Sequence, residues 1–236
     1  MAALLAFDTA TERLHAALGV GARIGVREAA GGPQSSATLL RALFDLLAEA
    51  GLALADLDAI AFGQGPGAFT GLRTACSVAQ GLAVGAAKPL LALDTLLAVA
   101  EDARQRAGVT RVWAANDARM DEVYAAHYEH SEGRWHALAA PALYTLDALN
   151  ARWRAAPPTA VAGNATAMFG ARLDVGAAPC IAEAAPRGAA LLALARSAWE
   201  AGAVIDAGAA LPVYLRDKVA LTTDERAALK AAKERA

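Results

Sequence analysis

The chain has 236 residues, 56% apolar and 19% charged, with a formal net charge of −2 and a pI near 6.1. That length buries a sizeable core, and that apolar content excludes a disordered chain. No apolar run is long enough to cross a bilayer, and the near-neutral charge argues against unaided binding of nucleic acid, whose affinity rests largely on phosphate neutralisation. Met1 to Asp8 carries no basic segment and runs straight into a strand pattern, so no secretory leader and a cytoplasmic location are expected. Cys76 and Cys180 lack CxxC spacing; the sequence leaves a disulfide open, with free thiols the simpler reading in a reducing compartment.

In chain order, strands are expected over Leu4–Asp8, Leu14–Val20 and Arg23–Ala29, the last two joined by a turn at Gly21. Gly31-Gly32-Pro33 ends that segment. Ser35 or Ser36 can cap a helix running to about Ala50, whose Leu39, Leu40, Leu43, Phe44, Leu46 and Leu47 form a wide apolar face. Gly51 closes it. A short strand over Leu57–Gly63 leads into a glycine-rich loop and a helix from about Gly71 to Ala86. A strand at Pro89–Leu93 and a helix over Thr95–Ala107, capped by Asp94, follow. The second half opens at Val109 with a hairpin. It continues with a helix over Leu146–Ala155, a strand at Ala160–Gly163 and a helix over Gly188–Ala201. Thr222-Thr223-Asp224-Glu225 then starts a short helix of mixed charge reaching Arg235. Trp113, Trp135, Trp153 and Trp199 are scattered and read as core or lobe-packing residues.

The chain repeats itself once. Asp8-Thr-Ala-Thr-Glu12-Arg-Leu14-His-Ala16-Ala17 matches Asp117-Ala-Arg-Met-Asp121-Glu-Val123-Tyr-Ala125-Ala126 at a constant offset, 117 − 8 = 109. Each copy follows an apolar run and continues as an alternating strand. Two halves built alike predict a duplicated α/β architecture. Its boundary falls near Gly108, giving lobes at 1–108 and 109–216 and a tail at 217–236.

The most specific local pattern is Gly63-Gln-Gly65-Pro66-Gly67-Ala68-Phe69-Thr70-Gly71-Leu72-Arg73, set between a buried strand and a helix. Its glycines hold a tight backbone, and amides at the helix start could meet an anion, although no Walker lysine is present. The stretch resembles the GPGSFTGLR signature of the TsaB family, with Ala68 where serine is usual. Asp117-Ala-Arg119-Met-Asp-Glu122-Val-Tyr124 resembles that family's DARxxEVY segment, and Pro212-Val-Tyr214-Leu215-Arg216 resembles its PxYLR. The resemblance covers the chain to about Asp217. It implies an actin-like (ribonuclease H-like) fold of two duplicated lobes, mixed sheets flanked by helices. It also implies a non-catalytic role beside TsaD, a paralogue carrying the catalytic metal site. With the ATPase TsaE, that pair transfers threonylcarbamoyl from its adenylate to the tRNA adenosine 3′ of the anticodon.

TsaD-like proteins bind metal through an H-x-x-x-H helix, whereas the corresponding helix here starts Gln34-Ser35-Ser36-Ala37-Thr38 and holds no histidine. His127 and His130, three apart in a strand, point to opposite faces, and no metal site is expected there. An ATP-dependent phosphotransferase is the alternative. Asp8 and Asp117 occupy equivalent turns, Thr9 and Thr11 could bond a phosphate, and Gly65 and Gly67 supply the loop. The opposing reading is that both aspartates only brace their turns. The resemblance places the partner contact on the two N-terminal-lobe helices, with Leu39, Leu40, Phe44, Arg73, Cys76, Ala79, Leu82 and Ala83 as contact residues. It leaves nucleotide (ATP/ADP) at that interface open. Arg73 can instead bind its own lobe, tRNA would be met only through the complex, and a homodimer through the same face is open when the chain is alone.

Overall fold

The computed structural model describes residues 2–31, 35–182 and 187–216. The expected break at 32–33 and the tail helix at 222–235 lie outside the described residues, as does the side chain of Ser35. The first half comprises β1 (Ala3–Asp8), β2 (Arg13–Val20), β3 (Arg23–Ala30), α1 (Ser35–Ala50), β4 (Ala59–Gly65), α2 (Phe69–Ala86), β5 (Leu90–Asp94) and α3 (Thr95–Ala107). The second comprises β6 (Arg111–Arg119), β7 (Glu122–Ser131), β8 (Arg134–Thr145), α4 (Leu146–Ala155), β9 (Val161–Ala162), α5 (Ala165–Phe169), β10 (Cys180–Ile181) and α6 (Gly188–Glu200). Strand β8 and the short α5 and β10 are additions to the expected set.

The duplication is complete at the level of topology. One five-stranded sheet runs β3-β2-β1-β4-β5 and the other, read from its far edge, β8-β7-β6-β9-β10. In each, an antiparallel meander is extended by parallel strands: β1 pairs antiparallel with β2 and parallel with β4, as β6 does with β7 and β9. The buried middle strands carry near-continuous apolar runs, as a sheet covered on both faces requires.

Helices α1 and α2 cover the outer face of the first sheet, where Leu39, Leu43, Leu46, Ala75, Ala79 and Leu82 pack on Leu5, Phe7, Leu14, Ile60 and Phe62. On the second sheet α4 and α5 do the same through Leu149, Trp153 and Phe169 against Trp113, Val123 and Val161. The remaining two helices change partners. Helix α3 packs Leu96, Val99, Ala100 and Ala103 on the second sheet, while α6 packs Leu191, Leu192 and Ala195 on the first. The packing of these two helices crosses a boundary drawn at 108. Residues 188–200, assigned by sequence to the second lobe, belong to the core of the first, because their apolar stripe faces Leu4, Ala6, Ala17 and Ala61. The chain then stays on the first lobe. Ile205 bridges Leu90, Ala210 is buried beside α2, and the Val213 amide donates to the Gln64 carbonyl at 2.7 Å.

Two caps fall where the side chains predict. Asp94 accepts from the amides of Leu96 and Leu97 at the start of α3, and Thr145 accepts from Ala148 at the start of α4. Gly108 closes α3 with φ +69.

Candidate functional site

The three sequence motifs, scattered over more than 150 residues, line one cleft between the lobes. It encloses about 720 Å³, with walls from Thr9–Glu12, Pro66–Gly71, Asn116–Met120 and Val213–Arg216, and with Tyr124, Asn164 and Met168 closing the second-lobe side. A cavity of that size suits a small ligand. Its chemistry depends on which polar groups remain uncommitted.

The two repeated aspartates brace their turns in the same way. One Asp8 carboxylate oxygen accepts the Ala10 amide at 2.6 Å, and one of Asp117 accepts the Arg119 amide at 2.8 Å. Asp8 is buried, outside the cleft lining, and its other oxygen accepts the Thr95 hydroxyl at 2.8 Å. Burial pushes its carboxyl above the ordinary range, against the pull of the Arg187 charge and those two hydrogen bonds. Asp117 does line the cleft, but it also pairs with the Arg119 guanidinium at 3.2 Å.

The glycine loop folds against the first turn. Thr9 donates its hydroxyl to the Gly71 carbonyl at 2.7 Å, and the Ala68 amide donates to the Ala10 carbonyl at 2.8 Å. Each of three glycines stands where a Cβ would collide with that turn: Gly63 on the Asp8 carboxylate, Gly67 on the Ala10 carbonyl (2.5 Å) and Gly71 on the Thr9 carbonyl. Gly65, at φ +119, lets the Val213 carbonyl approach to 2.8 Å of where a Cβ would sit. These glycines thus serve contact between loop, turn and C-terminal segment. Thr11 receives the Arg187 guanidinium at 3.4 Å and donates to the Arg13 carbonyl at 3.2 Å.

The second turn differs in conformation despite equal length. Met120 and Asp121 have positive φ (58° and 59°), which suits the two-residue loop of a tight hairpin, and Arg119 before them (64°) sits at the register shift of β6; each such non-glycine residue costs on the order of 1 kcal/mol. Arg216 holds this turn. Its guanidinium donates to the carbonyls of Ala118 (2.9 Å) and Arg119 (3.2 Å) and pairs with Glu122 at 2.5 Å. Arg119 also pairs with Glu12 across the cleft mouth, joining the two repeat turns.

Comparison with known proteins bears on the origin of this arrangement. A family model described as TsaD, tRNA N6-adenosine threonylcarbamoyltransferase, matches residues 26–178. A solved structure, YeaZ from Pseudomonas aeruginosa, superposes with TM-score 0.81 at 40% identity, covering 91% of this chain and 100% of that one. The chain belongs to the TsaB/YeaZ family. The TsaB protein of Escherichia coli is 42% identical over 134 residues, 56% of this chain and 58% of that protein; that of Haemophilus influenzae is 43% identical over 122 residues, 51% of each. The chain thus matches between half and three-fifths of the length of these curated relatives. The actin-like two-lobe fold that the family resemblance implies is the fold observed.

Burial divides the contact residues expected on the N-terminal helices. Leu39, Cys76, Ala79, Leu82 and Ala83 are buried in the core of the first lobe, Cys76 with its thiol on the Ala210 carbonyl. An alanine-rich helix carries small apolar residues on several sides, and the buried side of α2 includes Leu72, Ala75, Ala79 and Leu82. Leu40 is half-buried, Phe44 is 48% exposed and Arg73 is exposed; Val84, 73% exposed, joins them on the outward side. Arg73 is engaged within its own chain. Its Nε donates to the Tyr214 hydroxyl at 3.1 Å, and its guanidinium lies 3.8 Å over the Phe69 ring.

His127 stacks on Trp113 at 4.9 Å in one core, and His130 meets Trp135 on the other face of the sheet. Among the described residues no three His, Cys, Asp or Glu side chains cluster to hold a metal. Both cysteines are free, Cys76 buried and Cys180 exposed. No described helix is long and apolar enough to cross a membrane. Sequence reading missed Asn116 and Asn164. The Asn164 side-chain carbonyl accepts the Asp117 amide at 2.7 Å, and Gly163 lets Asn116 approach as Gly63 does Asp8. The available signal was the Gly163-Asn164 pair directly after a short apolar strand.

Proposed function

We propose that the chain is a non-catalytic partner of TsaD in the threonylcarbamoylation of tRNA adenosine. The observation that carries this reading is the commitment of the polar groups that phosphoryl transfer would need. Asp8 is buried and bonded at both oxygens, Asp117 is tied to Arg119, and the Thr9 hydroxyl donates to Gly71. A general base or metal ligand turns an uncommitted oxygen to its substrate, and each of these oxygens already holds a partner within the chain. Membership of the TsaB/YeaZ family and the match to the TsaD model support the pathway and a paralogous partner. The net charge of −2 supports tRNA being met through the complex; TsaE as a further member and a cytoplasmic location follow from the family reading alone.

The outward side of α1 and α2 receives TsaD. Phe44 of α1 and Val84 of α2 are large apolar side chains left in water, and Leu40 and Val78 on the same two helices are only half-buried. When alone, the chain uses the same side for a homodimer. Any nucleotide belongs to the complex with TsaD. The cleft volume favours one second reading, an ATP-dependent phosphotransferase.

Gel filtration of this chain with TsaD from the same organism, followed by a tRNA modification assay, separates the two. The proposal expects a stable complex, modification that needs both chains, and loss of both on Phe44→Arg or Val84→Arg with the melting temperature retained. Absence of a complex, together with ATP turnover by this chain alone that Asp117→Asn abolishes, would establish the phosphotransferase instead.

A further inference from the structure

We propose that residues 210–216 form a coupling strap that transmits the state of helix α2 to the hairpin turn of the second lobe, with Arg73, Tyr214 and Arg216 as its positioning residues. This rests on the reading that α1 and α2 carry the partner contact. The strap follows one side of α2 at helical spacing. The Ala210 carbonyl accepts from Gln80 Nε2 (3.1 Å) and from the Cys76 thiol (3.3 Å), and the Tyr214 hydroxyl accepts from Arg73 Nε. Positions 73, 76 and 80 lie on one face of a helix. Between these anchors the Val213 amide donates to the Gln64 carbonyl, and the Val213 carbonyl occupies the space that a side chain at Gly65 would need.

The far end of the strap leaves the first lobe. Arg216 reaches two carbonyls of the turn at 118–119 and the Glu122 carboxylate, clamping the three consecutive left-handed residues between them. A turn of non-glycine residues at positive φ persists only where its surroundings over-determine it, and Arg216 supplies that determination together with Asp117 and Arg172. The exposed end of the bond to α2 is the sensitive one. Arg73 and Tyr214 sit at the surface beside the outward side of α2, so a partner seated there changes their packing. Two residues further along the same extended segment, Arg216 repositions the turn, and with it the Arg119–Glu12 pair across the cleft mouth. Docking on α2 and the opening of the cleft are in this way one equilibrium.

Hydrogen exchange of the full-length chain tests this, comparing a peptide over 117–124 with one over 13–20. Tyr214→Phe removes only the hydroxyl, and Arg73→Lys keeps the charge while removing Nε. The strap predicts that exchange over 117–124 becomes about fivefold faster in both variants, the factor for one hydrogen bond of about 1 kcal/mol, while 13–20 is unchanged. Wild-type rates over 117–124 in both variants overturn the proposal. Equal acceleration of both peptides, which is destabilisation without coupling, overturns it as well. In a second arm, TsaD added to the wild type slows exchange over 117–124 and fails to do so in Tyr214→Phe. A complex seen by gel filtration without that slowing overturns the link to docking. If no complex forms, the reading of the partner fails instead, and the first arm still decides the strap.

Discussion

Replacing Ala68 by serine restores a helix cap that this chain lacks. Ala68 is the N-cap residue of α2, at φ −62 and ψ 126, and no side chain caps the helix there. A serine in that extended conformation places Oγ within reach of the amides of Thr70 and Gly71, two of the four donors left open at a helix start. Ala68 is exposed, so the new hydroxyl costs no desolvation, and its own amide keeps its bond to Ala10. The gain is about 1 kcal/mol, within the usual range of about 0.5–2 for this exchange. For a chain of this size that raises the melting temperature by about 2–4 °C. Thermal unfolding of Ala68→Ser, with Ala68→Val as a side chain lacking the acceptor, measures it. An unchanged or lowered melting temperature for serine, or an equal rise for valine, would refute the cap as the reason for serine in the family signature.

Three further outcomes follow from burial and backbone geometry. Ala79→Arg forces a guanidinium into the core between α2 and the first sheet and destabilises by several kcal/mol, whereas Val84→Arg stays within about 0.5 kcal/mol; equal melting temperatures would mean that α2 turns another face to its sheet. Burial, with the charges of Arg187 and Arg13, lowers the His15 pKa to about 3. The unfolded chain therefore takes up a proton below pH 6.5 that the native state refuses. Stability contributed by neutral His15 is full above pH 6.5 and is lost at about 1.4 kcal/mol per pH unit as pH falls toward 3. Asp8 and Asp94, raised by burial, act in the opposite direction. The difference between wild type and His15→Gln in urea unfolding at pH 7 and pH 4.5 isolates the histidine; a constant difference would show that His15 is protonated when folded. Asp121→Gly, at φ +59, relieves a left-handed non-glycine residue and raises stability by about 1 kcal/mol, less a few tenths for the exposed pair with Arg172, measurable by urea unfolding.

The fold was legible because its signals are local. Helices at 95–107 and 146–155 begin and end where Asp94, Gly108 and their apolar periods place them. The constant offset of 109 residues announced two copies of one topology. What was not legible is long-range. Nothing in the sequence of α6 says that Leu191 and Leu192 face the first sheet, since an apolar stripe names no partner. The burial of Ala79 and Cys76 was illegible for the same reason: in an alanine-rich helix, a core face and a contact face have the same composition. Phe44 and Val84 were separable from them only by exposure.

The cleft shows how one duplicated element acquires two structural tasks. Both copies keep an aspartate that accepts the amide two residues on, so the carboxylate is needed by the turn whatever else the site does. The copies then diverge over four residues. The first turn stays open and is filled by the glycine loop, whose Gly67 and Gly71 admit the Ala10 and Thr9 carbonyls. The Ala10 carbonyl takes up the Ala68 amide, a donor that an anion at the start of α2 would otherwise use. The second turn closes into a left-handed hairpin and places Arg119 opposite Glu12, so the cation at the cleft mouth is neutralised within the chain. An anionic ligand would have to displace Glu12 from Arg119 and still find the nearby Thr9 hydroxyl bonded to Gly71. The Glu12–Arg119 pair also joins the two repeat turns, so an anion entering there competes with a contact between the lobes, whereas the Thr9–Gly71 bond holds the loop within the first lobe.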